Sequence, residues 1–220
     1  GDVEPLANVI TLQMLNTPLE TEAAKYINPE KDINSAEDAV AGAKDIIAEV
    51  SDEADYRTRI RDLTMKKGHV TSTAKDPEAE SVYEMYYEFD EPVNKLAGHR
   101  ILALNRGENE KILNVKVEAP EEDILRFLER KVITRDNPNT TPVLKEVVAD
   151  AYDRLIAPAI EREIRSSLTE MAEDGAIRVF GKNLEQLLMQ PPIAGQVVLG
   201  WDPAFRTGCK LAVSIRPEKC

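Results

Sequence analysis

The stretch that most restricts the fold of this 220-residue chain is "NPNTTPVLKEVVADAYDRLIAPAIEREIRSSLTEMAEDGAIRVFGKNLEQLLMQPP", residues 137 to 192. Leu144, Val148, Tyr152 and Leu155 recur at spacings of three and four, which puts them on one face of a helix. Thr141 can cap that helix, and Pro142 fits its first turn, where a missing N–H costs nothing. Ile160, Ile164, Leu168 and Met171 continue the stripe, and Leu184, Leu187 and Leu188 repeat it. Pro158 removes a donor and disfavours helical backbone at Ala157, so a kink or break is predicted there. Pro191 and Pro192 end the run.

The first third reads the same way. "EPLANVITLQML" has Pro5 in its first turn and Leu6, Val9, Ile10 and Met14 at helical spacing. "TPLETEAAKYI" is a short second helix that stops before Asn28-Pro29. In "SAEDAVAGAKDIIAEV", Ser35 is an N-cap with Asp38 three residues on, and Val40, Ala43, Ile47 and Val50 form the apolar stripe. "DEADYRTRIRDLTMKKG" has acids in its first turn, bases in its last and Gly68 as a stop signal, which suits the helix dipole.

The middle is less regular. Residues 69 to 81, "HVTSTAKDPEAES", read as a loop. "VYEMYYEFDEPV" gathers Tyr83, Tyr86, Tyr87 and Phe89 and reads as a packing plug for that loop rather than as a base-stacking surface. "HRILALNRGENEKILNVKVE" gives a short helix through Leu104, a turn at Gly107 and a strand from Ile112 to Val117. "APEEDILRFLERKV" is a further helix.

Composition narrows the function. Apolar content of 42% and charged content of 31% fit a folded globular protein. The net charge of −12 repels phosphate backbones, so nucleic-acid contact needs a local basic patch or another part of a longer protein. No apolar run approaches the roughly 18 to 20 residues of a membrane span, and "GDVEPLANVI" is not a secretory signal. Two cysteines, Cys209 and Cys220, make no disulfide framework, which leads us to expect a reduced, cytoplasmic location.

At about residue 192 helix formers give way to "VLGWDPAFRTGCKLAV", residues 198 to 213, two short apolar strands around an Asp-Pro turn. Cys209 reads as a small hydrophobe on the second strand. This stretch resembles the opening of the YqgF domain in the bacterial Tex family of transcription accessory proteins, a domain of RNase H-like fold related to the RuvC resolvases. "AIRVFGKNLEQLLMQPP", "VYEMYYEFDEPV" and "HRILALNRGENEKIL" resemble further segments of that family, so the likeness spreads over roughly residues 55 to 213. Two features depart from the family: Ala204 stands where glycine is usual after Asp-Pro, and the tail "SIRPEKC" does not resemble the family's continuation.

The resemblance implies an excised fragment of a longer protein whose remaining parts are the rest of the YqgF domain, a helix-hairpin-helix region and a terminal OB-fold RNA-binding domain. The expected fold is mainly α: a multi-helical scaffold with one short mid-chain β segment and an incomplete RNase H-like β-hairpin at the C-terminus. We divide it into an N-terminal helical domain (1–110), a short strand with long central helices (111–192) and the truncated start of the YqgF domain (193–220). The hairpin, marginal alone, is expected either to be covered by the chain's own helices or to pair with a second copy through its edge.

Asp202 matches the first metal-binding carboxylate of resolvase-like enzymes, but its partner acids come from later strands, so it stands as a vestigial metal position with no catalytic or metal site expected. Arg57, Arg59, Arg61, Lys66 and Lys67 are the densest basic cluster and the candidate nucleic-acid contacts, with Arg100 and Arg106 as an extension. They spread over more than one helix face, so pairing with acids of neighbouring helices also explains them. His69 and His99 lack the companions of a zinc site, and His99 is expected to order the turn before its helix. No cofactor is expected. The reading is therefore a helical scaffold of a Tex-like transcription accessory protein. Its partners are RNA or DNA, reached through the intact protein, with RNA polymerase a candidate and a membrane not among them. A metal-dependent resolvase-like nuclease and a pure protein-interaction module are the alternatives.

Overall fold

The computed structural model describes residues 3–50, 54–191, 195–204, 206 and 208–214. It is mainly helical with a few antiparallel strands, as the periodicity predicts, and it divides into two compact units, Gly1–Ala176 and Ile177–Cys220.

In the first unit, one core is purely helical. Helix α1 (Glu4–Leu12) buries Leu6, Ala7 and Ile10 and stops at Gln13, which sits in the left-handed region at φ 56°. Met14, assigned to this stripe by spacing, lies beyond that stop and is exposed. The short α2 (Leu19–Ala23) and α3 (Ala36–Val50) follow. Ser35 Oγ accepts the Asp38 N–H at 3.1 Å, whereas the Asp38 carboxylate takes the N–H of Asn34, one residue outside a standard capping box. Ala39, Ala43 and Ile47 pack on Leu144, Val147 and Ala151 of α7 (Thr141–Ala151). Thr141 is not the cap of α7 but its first residue. The Asn137 side chain accepts the N–H groups of Asn139 and Thr140, and Thr141 Oγ accepts that of Asn137.

A buried glutamine ties the end of α1 to the segment before α7. Gln13 Nε2 donates to Val132 O at 2.8 Å, and its Oε1 accepts the N–H groups of Thr134 and Arg135. Asn137 Nδ2 donates to Leu15 O from the other side.

The second core of this unit surrounds a three-stranded antiparallel sheet in the order β2–β1–β3, built from β1 (His69–Ala74), β2 (Glu88–Pro92) and β3 (Leu113–Glu118). Val70 faces Glu91 on one side and Val117 on the other. Helices α4 (Ala54–Lys67), α5 (Gly98–Asn109), α6 (Glu121–Val132) and α8 (Ala157–Leu188) contribute to the same core. Ile60, Val70, Leu104, Leu113, Ile124 and Ile164 are among its buried residues.

Three local expectations are corrected here. The loop expected over 69–81 begins with strand β1, because Val70 and Ser72 alternate into the core and the β-branched Val70, Thr71 and Thr73 suit a pleated backbone. The aromatic plug does pack: Tyr83 and Tyr86 are buried. Its second half is strand β2, which supplies β1 with a partner. Gly107 is no turn, since α5 continues through it to Asn109.

Pro158 neither breaks nor ends the long helix. The preceding turn, Tyr152–Ile156, widens to π geometry, with the Ala157 N–H bonded to Tyr152 O, and α8 runs on from Ala157. A π turn carries one residue more than an α turn, which accommodates the proline without a break. Ile160, Ile164 and Leu168 are buried as the stripe predicts, but Met171 is exposed and Ala172 takes the next buried position.

The second unit holds the last turns of α8 and a hairpin of β4 (Val198–Pro203) and β5 (Cys209–Ser214). Trp201 faces Leu211, and Asp202 faces Lys210. All six residues of β4 are exposed, as are Leu211 and Val213. Cys209 is likewise exposed rather than packed, and Leu184, Leu187 and Leu188 are exposed as well. The tail after Ser214 lies outside the described residues.

Two helical glycines should respond with opposite signs to alanine. At Gly107 an added Cβ would meet Leu113 Cδ1 at 2.5 Å and Tyr83 Cδ1 at 3.2 Å, both in the packed core. At Gly175 it would meet nothing within 4 Å. Gly107→Ala is expected to lower unfolding stability by about 1 to 3 kcal/mol through overpacking. Gly175→Ala is expected to raise it by up to about 1 kcal/mol through helix propensity. Urea unfolding of the two variants beside the parent measures both.

Candidate functional site

Helix α4 carries the predicted basic cluster, and its 3.6-residue turn distributes that cluster around the axis. Arg57 and Arg61 share one face. Arg61 reaches Glu163 of α8 at 3.6 Å, and Arg57 is half-buried. Lys67 turns the other way and bonds Asp123 of α6 at 2.7 Å. That hydrogen bond and the ammonium charge hold the Asp123 carboxyl below the usual aspartate range. Arg59 and Lys66 are exposed. The five cations therefore do not form one stripe. Of the proposed extension, Arg100 pairs with Glu91 and lies over the Phe89 ring at 6.0 Å, while Arg106 is exposed.

His69 Nδ1 is 2.6 Å from Asp90 Oδ1 across the β1–β2 pair. His99 is exposed in the first turn of α5, and no hydrogen bond from its ring is found among the described residues. Asp202 is exposed on β4 opposite Lys210. Among the described residues no group of three His, Cys, Asp or Glu side chains is arranged to hold a metal ion.

Two features built from residues distant in the chain lie outside the sequence reading. The first is a polar hub on α8. Arg165 forms an ion pair with Glu108 of α5 and donates to Asn105 Oδ1 at 3.2 Å and to Val115 O of β3 at 3.2 Å. Asn105 in turn donates to Thr169 Oγ at 2.8 Å. One turn before Arg165, Glu161 Oε1 accepts the Val117 N–H at 3.0 Å. Two backbone groups on the outer edge of β3 are thus bonded by side chains of one helix.

The second is a cavity of about 340 Å³ at the end of β3, lined also by α4, the start of α6 and the π turn. Four carboxylates, Glu118, Glu121, Asp153 and Glu161, line it with Lys116. Tyr152 forms part of its wall while remaining only 5% exposed. Burial first, and then the charges of Glu121 and Asp153, push its phenol up to about 12. In the sequence Tyr152 is one more member of a helical apolar stripe, and nothing there indicates which acids will surround it.

The first unit is thus mainly helical with a small antiparallel sheet, and several of its acids and bases bridge elements. Over residues 16–180 it matches the Tex central region-like family, and the chain belongs to that family. It is 49% identical over 216 residues to the protein YdcI of Bacillus subtilis, covering 96% of this chain and 30% of that protein. It is 35% identical to the protein named tex of Bordetella pertussis, covering 99% of this chain and 29% of the relative. With the human S1 RNA-binding domain-containing protein 1 the identity is 31%, covering 91% and 22%. The chain spans less than a third of the length of these curated relatives. Among the described residues no helix is long and apolar enough to cross a membrane.

Removing the polar hub should loosen α8 from the sheet. Arg165→Ala is expected to cost on the order of 2 kcal/mol, because it deletes charge-assisted bonds and leaves Val115 O without its donor. Arg165→Lys keeps the charge but loses the forked geometry, and should fall between the two. Thermal unfolding of the three chains gives the order.

Proposed function

We propose that this chain is the central scaffold of a longer Tex-like transcription accessory protein. In this reading it positions RNA- or DNA-binding domains and is neither the catalyst nor the principal nucleic-acid contact. The observation that carries the reading is the match of nearly the whole chain to less than a third of proteins named for Tex and for an S1 RNA-binding domain. The pairing of Arg61 and Lys67 with acids of α8 and α6, on a chain of net charge −12, supports it. The protein acts in the cytoplasm, with RNA polymerase as its proposed protein partner. The β4–β5 hairpin is the opening of a YqgF, RNase H-like sheet, Asp202 is a vestigial carboxylate of that fold, and in the isolated chain the hairpin edge pairs with a second copy.

On this reading the chain binds RNA and DNA weakly at physiological salt, and its residual affinity falls steeply as salt rises. Tight binding that disappears on charge reversal at Arg57, Arg59 and Arg61 would instead make this segment the nucleic-acid contact. The same preparation, given Mg²⁺ or Mn²⁺ and branched DNA or structured RNA, is expected to leave the substrate intact. Cleavage that Asp202→Asn abolishes would establish the nuclease alternative. Sedimentation checks the hairpin edge: the parent should self-associate with increasing concentration, and a Trp201→Lys/Leu211→Lys variant should remain monomeric.

A further inference from the structure

We propose that residues 73–88 form a docking surface for a basic segment of a partner protein, one that presents an apolar side chain between lysines or arginines. Val82 and Met85 are 85% and 67% exposed, yet the tyrosine that follows each of them, Tyr83 and Tyr86, is buried. This period of three belongs to a tight turn that runs into 3₁₀ helix at Glu84–Tyr86, where residues three apart stack on one side. Turning Val82 or Met85 inward would therefore expel a tyrosine from the core. The backbone around them is fastened as well. Tyr87 Oη donates to Ala79 O at 2.6 Å, Ser81 Oγ lies 2.8 Å from the same hydroxyl, and Ser81 Oγ accepts the Tyr83 N–H. Tyr83 Oη donates to Glu110, just beyond α5, at 2.9 Å.

Scattered exposed apolar side chains are ordinary, but a mobile loop can fold over its own. This loop is held open, and a surface held in place loses little entropy when a partner covers it. Beside Met85 lies a recess of about 510 Å³, lined also by Ala74, Pro77, Tyr87 and the carboxylates Glu84 and Glu88. Methionine adapts its shape readily to an incoming apolar group.

Charge identifies the occupant. The segment 75–88 carries five carboxylates, Asp76, Glu78, Glu80, Glu84 and Glu88, against the one ammonium of Lys75. All five are exposed, and among the described residues none of them pairs with a cation, unlike Glu108, Asp123 and Glu163 elsewhere in this unit. An acidic rim alone would attract any cation. Around a fixed apolar pair it selects a polypeptide that brings both features, whereas a phosphate backbone is repelled. The surface needs neither the scaffold role nor the hairpin, since all of it lies in one loop and the adjoining ends of β1 and β2.

The test is a titration of the isotopically labelled chain, followed by its backbone amide signals. The probe is the blocked peptide Lys-Lys-Leu-Lys-Lys. One control replaces its leucine with serine, and another replaces its lysines with glutamates. The probe should shift residues 73–88 saturably with a Kd on the order of 1 mM, and both controls should bind at least about tenfold more weakly. Val82→Ser/Met85→Ser and Glu84→Gln/Glu88→Gln change exposed side chains only. Each double variant should weaken the probe about fivefold to tenfold while the amide signals outside 73–88 stay in place. No shift at 73–88, equal shifts spread over the other acidic surfaces, an equal response to either control, or unchanged binding in either double variant would overturn the proposal. So would two responses of the same residues without the probe. Shifts on diluting the chain alone would assign the surface to a second copy, and shifts on adding oligouridylate would assign it to nucleic acid.

Discussion

The free edge of β3 is the constraint around which the first unit is arranged. A three-stranded sheet exposes one row of unpaired N–H and C=O groups on each side, and an open edge invites foreign strands. Here a helix takes up two groups of the β3 edge: Glu161 receives the Val117 N–H, and Arg165, one turn on, donates to Val115 O. Two side chains four residues apart lie on one face of a helix. Sliding α8 by a single turn would leave both backbone groups bare. The polar contacts and the burial of Ile164 and Leu168 thus set the same axial position of α8 against the sheet.

That fixed position gives the π turn its purpose. The buried residues of this region, Tyr152, Ile156, Ile160, Ile164 and Leu168, are spaced by four. In an ideal α-helix each four-residue step rotates about 40° past a full turn, so a long series leaves the buried face. One widened turn at Tyr152–Ile156 absorbs an extra residue and brings Tyr152 and Ile156 back toward the face that Ile160 continues. Pro158 places the widening there. The same turn brings Asp153 and Pro158 into the wall around Tyr152, so the cavity is a by-product of keeping one stripe buried on both sides of a proline.

The helices were legible in the sequence because their signals are local. Pro5, Ser35 and Pro142 mark starts, and stripes such as Leu144–Val148–Tyr152 reach the core as their spacing requires. The sheet was not legible, because its evidence is non-local. "HVTSTA" has the alternation of a strand, but it reads as loop until Glu88–Pro92 and Leu113–Glu118 lie beside it. Gly107 misled for a related reason: it is small to admit Leu113, a neighbour the chain reaches by folding back. Of the candidate site residues, the basic run on α4 was visible as composition, whereas its division between Glu163 and Asp123 required the positions of α8 and α6. Tyr152 was read as core, which it is, whereas the acids beside it come from three other elements.

The ion pairs also bear on what such a surface can bind. Half-exposed pairs such as Arg61–Glu163 and Lys67–Asp123 contribute about 0 to 1 kcal/mol each, so a phosphate competing for either cation meets little local resistance. Pairing alone does not exclude nucleic acid. The field of the whole chain matters more. With 40 acidic against 28 basic residues, each approaching phosphate is opposed by charge that does not move when one pair opens. The same field that disfavours a polyanion attracts a cation.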